Sequence, residues 1–233
     1  DRITVVNHGF FDKIPDSVQT KIHRITNGFD PDHITIEERK PQRNEQFTIR
    51  YFGSLKINQR PTAFLEALSQ IENETPEIAK RMRFEFFGSL DPTIGKDLES
   101  ICDNITFNKN AFIQHSDMMA LLPKSDLLLL SIGSSKNSSY ALSTKVFEYM
   151  ISGSNVLGIG PIQGAAAEVV SSTGIGQFFD RTDGSGVYSY IMSCFEAFDR
   201  NEYTFNDRNE SMEKYSFNKL SQQLDSTMKE LIR

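Results

Sequence analysis

Apolar positions along this chain come in two recurring patterns, short strand-like runs and amphipathic stretches at helical spacing, and from residue 47 onward the two alternate. Phe47 to Phe52 is rich in aromatic and β-branched residues and reads as a strand broken by Gly53-Ser54-Leu55. A helix follows from about Pro61, with Ala63, Phe64, Ala67, Leu68 and Ile71 on one face. Phe84 to Phe87 is the next strand, ended by Gly88-Ser89-Leu90, and Asp91-Pro92 opens a helix through Ile94, Leu98 and Ile101. The tetrapeptide FGSL thus occurs twice, at Phe52 to Leu55 and Phe87 to Leu90, each time between a strand and a helix. Ile105 to Phe107 reads as a short strand, Ser116 as the cap of a helix through Met119 and Leu122, and Asp126 to Ser131 as a strand buried on both faces. A Gly- and Ser-rich loop, 132 to 143, leads into a helix with Val146, Phe147, Met150 and Ile151, stopped by Gly153 before a strand at Asn155 to Ile159. An alanine-rich helix (Gly164 to Val170), a strand near Gly176 to Phe179, and helices from Val187 to Phe198 and Phe217 to Leu231 complete the series.

Strands alternating with helices predict an α/β fold, a Rossmann-like and mostly parallel sheet with helices on both faces. Ligands of such sheets sit at the carboxyl ends of the strands, where Gly53, Gly88 and the 132 to 143 loop all fall. Before residue 47, Arg2 to Asn7 and Lys21 to Thr26 read as strands with a short helical piece near Asp16 to Gln19 between them. Residues 30 to 46 are polar and punctuated by Pro31 and Pro41, as a linker would be. The expected division is 1–29 as the end of a preceding domain, 30–46 as linker, and 47–233 as the Rossmann-like domain. A start at Asp1, without methionine and directly in a strand-like run, reads as a fragment of something longer.

The net charge of -6 argues against a broad nucleic-acid or anionic-membrane surface, so an anion site would have to be local. Two cysteines, Cys102 and Cys194, are too few for a disulfide scaffold and point to a reducing cytoplasm. No apolar run approaches the length of a membrane span.

The richest local chemistry lies at Ser143 to Glu148. Exposed amides at a helix start form an anion site, and Lys145 in the first turn adds a full positive charge. Glu148 shares a helix face with Lys145. That combination suits a nucleoside diphosphate, with amides and Lys145 for phosphates and Glu148 accepting hydrogens from a ribose diol. The plain alternative is a solvated Lys-Glu pair worth about 0.2–0.5 kcal/mol. Elsewhere the signals are weak. His8, His23, His33 and His115 have no metal-ligand spacing and read as surface or capping residues. Asp30-Pro31-Asp32 spells a metal-binding DxD but follows a turn instead of a buried strand, so no metal site is expected. Gly158-Ile159-Gly160 lacks the rest of a dinucleotide fingerprint. Glu168, on the alanine-rich helix, reads as solvated or capping.

Taken in order, these pieces resemble the C-terminal, nucleotide-sugar-binding domain of a GT-B fold glycosyltransferase of group 1 (family 4). The likeness runs from Ile25-Thr26-Asn27-Gly28-Phe29-Asp30, through the strand-GSL loop, Pro61 to Leu68 and Ser125-Asp126-Leu127, to Tyr215-Ser216-Phe217. Its most specific motif is Ser143-Thr144-Lys145-Val146-Phe147-Glu148-Tyr149-Met150 followed by Gly153. The resemblance implies transfer of a hexose from a nucleoside diphosphate sugar to an acceptor hydroxyl, with retention, without a metal or other cofactor. Lys145 and Glu148 would be the catalytic residues. Lys145 and the Leu142, Ser143 and Thr144 amides would meet the diphosphate or sugar, Glu148 the ribose, Gly53 and Ser54 the phosphates, and the segment around Ala111 the base, with Gly88 at the same edge. Partners implied are the nucleoside diphosphate sugar and an acceptor glycan or lipid-linked glycan held by the N-terminal domain. The implied setting is bacterial polysaccharide assembly in the cytoplasm or at the inner face of the membrane.

The chain departs from the family pattern at three places. An earlier glutamate of the motif falls on Tyr140, an arginine on Ser54, and a lysine on Gln59, next to which Arg60 is the candidate replacement charge. A non-catalytic nucleotide-sugar-binding module is therefore a second expectation, and an epimerase of the same architecture a third.

Overall fold

The computed structural model describes residues 1–7, 9, 14–32, 44–202 and 210–232. Two short strands, β1 (Ile3–Val5) and β2 (Ile22–Arg24), pair in parallel around a one-turn helix, α1 (Asp16–Gln19), and form a sheet of their own. Of the expected linker, residues 33–43 lie outside the described residues.

The main sheet has six parallel strands: β3 (Phe47–Phe52), β4 (Met82–Phe87), β5 (Thr106–Asn110), β6 (Leu127–Ser131), β7 (Asn155–Ile159) and β8 (Gly176–Phe179). Their spatial order is β5-β4-β3-β6-β7-β8, so the chain first builds outward on one side of β3 and then restarts on the other. The helices are α2 (Thr62–Glu74), α3 (Pro76–Ala79), α4 (Pro92–Ile101), α5 (His115–Leu121), α6 (Lys145–Ser152), α7 (Ala165–Thr173), α8 (Gly184–Asp199), α9 (Glu210–Glu213) and α10 (Phe217–Ile232).

The period-two alternation of strand side chains divides the core into two layers. Phe47, Ile49, Tyr51, Leu127, Leu129, Leu157 and Ile159 face α2, α4 and α8, whereas Phe52, Leu128, Leu130 and Val156 face α6 and α7. A strand buried on both sides has no polar face to show, which is why Asp126 to Ser131 gave no alternation. The edge strand β5 runs on through Asn108, Lys109 and Asn110 beyond the predicted Phe107, because an edge tolerates polar side chains and β4 supplies its ladder. Ser116 is not a cap. α5 starts at His115 after Gln114 and no side chain caps it, so Ser116 lies within its first turn. Asp91 does cap α4, its carboxylate accepting from the Thr93 amide at 2.9 Å.

The two FGSL copies lie side by side and extend the β3-β4 ladder. Gly53 N donates to Phe87 O at 2.8 Å and Leu55 N to Ser89 O at 2.8 Å, while the Phe52 and Phe87 rings stack with centroids 5.1 Å apart. Gly88, at φ 137°, has to be glycine here: a Cβ on it would stand 2.2 Å from Gly53 O. Between β3 and β6 the ladder is short, covering Ile49↔Leu127 and Arg50↔Leu128. Past that point the two strands part at their carboxyl ends. This parting is the switch point of the sheet, where α/β folds of this kind open a crevice.

Candidate functional site

Three segments meet at that crevice: the loop after β3, the loop after β6, and the start of α6. The residues expected to cradle a phosphate lie at the start of α6. Among the described residues the amides of Leu142, Ser143 and Thr144 donate to no hydrogen-bond acceptor, so three consecutive donors lie open ahead of α6. The Lys145 amide is already taken by Ser143 Oγ at 3.3 Å, and the next amides by Ser143 and Thr144 carbonyls. The Ser54 amide is likewise without a partner among the described residues. Open amides at a helix N-terminus are the standard recipe for an anion site.

Lys145 turns back from α6 across the end of β3. Its ammonium stands over the Tyr51 ring, 4.6 Å from the centroid, and donates to the Tyr51 hydroxyl at 3.3 Å; that hydroxyl in turn donates to Ser54 O at 2.8 Å. Gly53 makes the room for it: at φ 109°, a Cβ there would come within 2.7 Å of Lys145 Nζ. Space that the sequence suggested for close approach of a phosphate to the Gly53 backbone thus also admits the ammonium itself. Among the described residues Lys145 makes no ion pair. Burial pushes its pKa down from the ordinary 10.5 to about 8, against the opposing pull of the Glu148 charge. A largely desolvated cation that makes no ion pair among the described residues is a candidate group for holding an anion.

Glu148 lies one turn deeper on α6 and reaches the same edge, where its Oε1 meets His115 Nε2 at 3.1 Å. Glu148 is about three-quarters shielded, with 25% of the side chain exposed. His115, read from sequence as a lone surface or capping residue, is indeed exposed, and its ring also meets the Glu148 carboxylate.

Arg60 is placed differently from the expectation of a free cation. Its guanidinium pairs with Asp97 on α4, and its carbonyl accepts from Arg181. Arg181, in the turn after β8, donates also to Asn58 O at 3.0 Å and Ile132 O at 3.4 Å, and its own carbonyl accepts from the Ala63 amide of α2. One side chain thereby ties the loop after β3 to the loop after β6. Tyr51 and Arg181 both escaped the sequence reading, the first because a tyrosine in a strand reads as core and the second because no motif surrounds it.

Tyr140, where the family pattern has a glutamate, belongs to a 3-10 turn, Ser138–Tyr140, whose carbonyl accepts from Asn7 Nδ2 at 2.6 Å. Its ring lies on Gly9, so close that a Cβ there would overlap it. The segment expected to face the base, around Ala111, leaves Phe112 64% exposed beyond the end of β5. In the DxD-like triplet, Asp30 Oδ1 accepts the Asp32 amide at 3.0 Å, a local turn. Among the described residues no group of three His, Cys, Asp or Glu could hold a metal ion, and no helix is long and apolar enough to cross a membrane.

With this geometry in place, comparison with solved structures is decisive for the architecture. HepE from Anabaena, solved in complex with UDP-glucose, superposes with a TM-score of 0.67 over 91% of this chain and 58% of its own, at 16% identity. The fold is that of the C-terminal domain of a GT-B glycosyltransferase. Sucrose-phosphate synthase from Thermosynechococcus elongatus matches the GT-B domain at TM-score 0.69 over 100% of this chain and 58% of its own, at 14% identity. S. aureus TarM, solved with UDP among its ligands, gives 0.68 over 97% and 43%, at 12% identity. The chain thus spans little more than half the length of HepE and of the synthase, and identity this low carries fold and not substrate. Neither a protein-family model nor a curated protein sequence matches the chain.

Proposed function

We propose that this chain is the donor-binding half of a glycosyltransferase that moves a hexose from a nucleoside diphosphate sugar to an acceptor hydroxyl. The observation that carries the reading is the conjunction at α6: three open amides and a buried, unpaired ammonium at the helix start, with a carboxylate one turn on. Amides of 142 to 144 and Lys145 would hold the diphosphate, and Glu148 the ribose diol. As the glycosidic bond breaks, charge builds on the diphosphate oxygens, and fixed amides with an ammonium in a poorly solvated crevice stabilise it without reorganising. Metal independence is part of the proposal, because these groups supply the positive potential a divalent ion would otherwise bring. Retention of configuration is proposed on the resemblance alone.

The division into 1–29, 30–46 and 47–233 is proposed along with it, the acceptor glycan or lipid-linked glycan and any base belonging to a preceding domain. On that reading residues 1–233 bind donor but do not turn it over. A bacterial, cytoplasmic role in polysaccharide assembly is the setting proposed. Calorimetry with UDP, GDP and inorganic pyrophosphate, with and without EDTA, tests the site directly. Binding of one nucleoside diphosphate, insensitive to EDTA, is expected; no binding by any of the three overturns the reading.

The pairing of Arg60 with Asp97, together with an uncharged Ser54, favours a second reading as a nucleotide-sugar-binding module without catalysis. Transfer by a chain that includes the preceding domain would exclude it, and donor binding without transfer across donors and acceptors would support it.

A further inference from the structure

We propose that His115 is a positioning residue for Glu148, fixing the carboxylate so that it discriminates in favour of a ribose diol; this rests on the donor-binding reading above. α5 and α6 both begin at the carboxyl edge of the sheet, which brings the first residue of one, His115, against the first turn of the other. The contact is short, Nε2 to Oε1 at 3.1 Å, and since an ionised carboxylate only accepts, Nε2 carries the hydrogen. Among the described residues this is the hydrogen bond that Glu148 makes through its side chain, and Lys145, one turn before it, forms no ion pair with it. Without His115 no hydrogen bond among the described residues would fix the orientation of the carboxylate.

With His115 in place, Oε1 is pinned and Oε2 accepts no hydrogen bond among the described residues. A carboxylate offers about four lone-pair positions. One is spent on His115, and the remainder suffices for two adjacent hydroxyls. The exposures fit this order of roles: Glu148 is 25% exposed, as a ligand group at the rim of a crevice would be, while His115 is 58% exposed and buttresses it from outside. Being that exposed, His115 can be replaced without opening a cavity in the core.

The test compares the nucleoside diphosphate that binds wild type with its 2′,3′-dideoxy analogue, by calorimetry on the chain of residues 1–233. Wild type should prefer the ribose form by about tenfold or more, the worth of hydrogen bonds to a charged group. His115→Ala should lower affinity for the ribose form by about 3–10-fold, the worth of losing one such bond, and leave the dideoxy form unchanged. His115→Gln, which can present an N–H to the same oxygen, should restore most of the preference. Equal loss for both ligands, or no loss for either, overturns the assignment to His115 while leaving the donor site standing. Wild type that binds neither ligand overturns the donor site itself, and wild type without preference for ribose overturns the role of Glu148 and that of His115 with it.

Discussion

Replacing Lys145 with methionine should make the protein more stable and unable to bind a diphosphate. Burial brings the ammonium pKa from 10.5 to about 8. At about 1.4 kcal/mol per pH unit, holding the charge at neutral pH costs roughly 3 kcal/mol of folding free energy. Water reaching part of the side chain reduces that cost. Methionine also forfeits the contact over the Tyr51 ring and the bond to its hydroxyl, each worth about 0.5–1 kcal/mol. The balance is a gain of about 1–2 kcal/mol, or roughly 2–8 °C in Tm for a chain of this size. Its pH dependence has a definite sign. A lysine whose folded-state pKa is depressed carries its full penalty below about pH 8 and sheds it as pH climbs toward 10.5, where the unfolded chain also loses the proton. Wild type should therefore close the gap to Lys145→Met over that window. Thermal and urea unfolding at pH 7, 8.5 and 10 read the gap. A nucleoside diphosphate at a hundred times its dissociation constant should then add about 2.7 kcal/mol to wild type and nothing to the variant. A variant less stable than wild type at pH 7, or a gap that stays constant between pH 8 and 10.5, would refute the view of Lys145 as a desolvated charge waiting for an anion.

Gly53→Ala places a Cβ at φ 109° against the Lys145 ammonium, so it should cost about 1–3 kcal/mol in urea unfolding and also weaken diphosphate binding in calorimetry. The Asp126 carboxyl, which accepts from the Thr48 backbone amide and the Asn44 side-chain amide, has its pKa raised to about 6 by desolvation. A raised carboxyl pKa stabilises only while protonated, so wild type should lose about 2–3 kcal/mol relative to Asp126→Asn between pH 4 and 7. Parallel unfolding curves for the two proteins across that range would count against it. Arg181→Ala removes three hydrogen bonds that join the loops after β3 and β6. It should raise the dissociation constant of the nucleoside diphosphate several-fold and increase amide exchange at Ile132 and Ser134, whose bonds to Ile159 O and Asn58 O lie beside it, as read by hydrogen-exchange mass spectrometry.

The sequence made the sheet legible because the central strands β3, β6 and β7 are buried on both faces and several strand or helix ends carry glycines at positive φ. Phe47 to Phe52 and Gly176 to Phe179 coincide with strands as read, and the positive-φ positions Gly53, Gly88 and Gly153 all fall where a strand or helix was expected to end. The order of the strands was legible only by analogy, since pairing β3 with β6 and not with β5 is a long-range fact that leaves no local mark. The same limit explains the site. Lys145 and Glu148 could be read together because they share one helix and their spacing is local. Tyr51 and Arg181 could not, nor could the pairing of His115 with Glu148, because each reaches across from another element to a partner 94, at least 49 and 33 positions away in the chain. Asp97 likewise could not be seen to claim Arg60, 37 positions earlier.

That last pairing bears on how the proposed donor site would work. A diphosphate brings two or more negative charges, and the cation nearest in the chain to the missing family lysine is already neutralised by Asp97. Arg181 is spent on carbonyls of the surrounding loops, and burial depresses its pKa, so its charge raises the local potential without pointing at a ligand. What remains is Lys145 with the open amides of 142 to 144 and 54. Partial charges on amides act within the first turn of a helix and depend steeply on distance, so such a site gains its affinity from alignment more than from charge count. Alignment here hangs on Gly53, which admits the ammonium, and on Tyr51, which props it. Tyr51→Phe keeps the ring under the ammonium but removes the hydroxyl that links Lys145 to Ser54 O. It should leave stability within about 1 kcal/mol of wild type and yet weaken pyrophosphate binding several-fold; unchanged binding would mean that the ring alone sets the position of the charge.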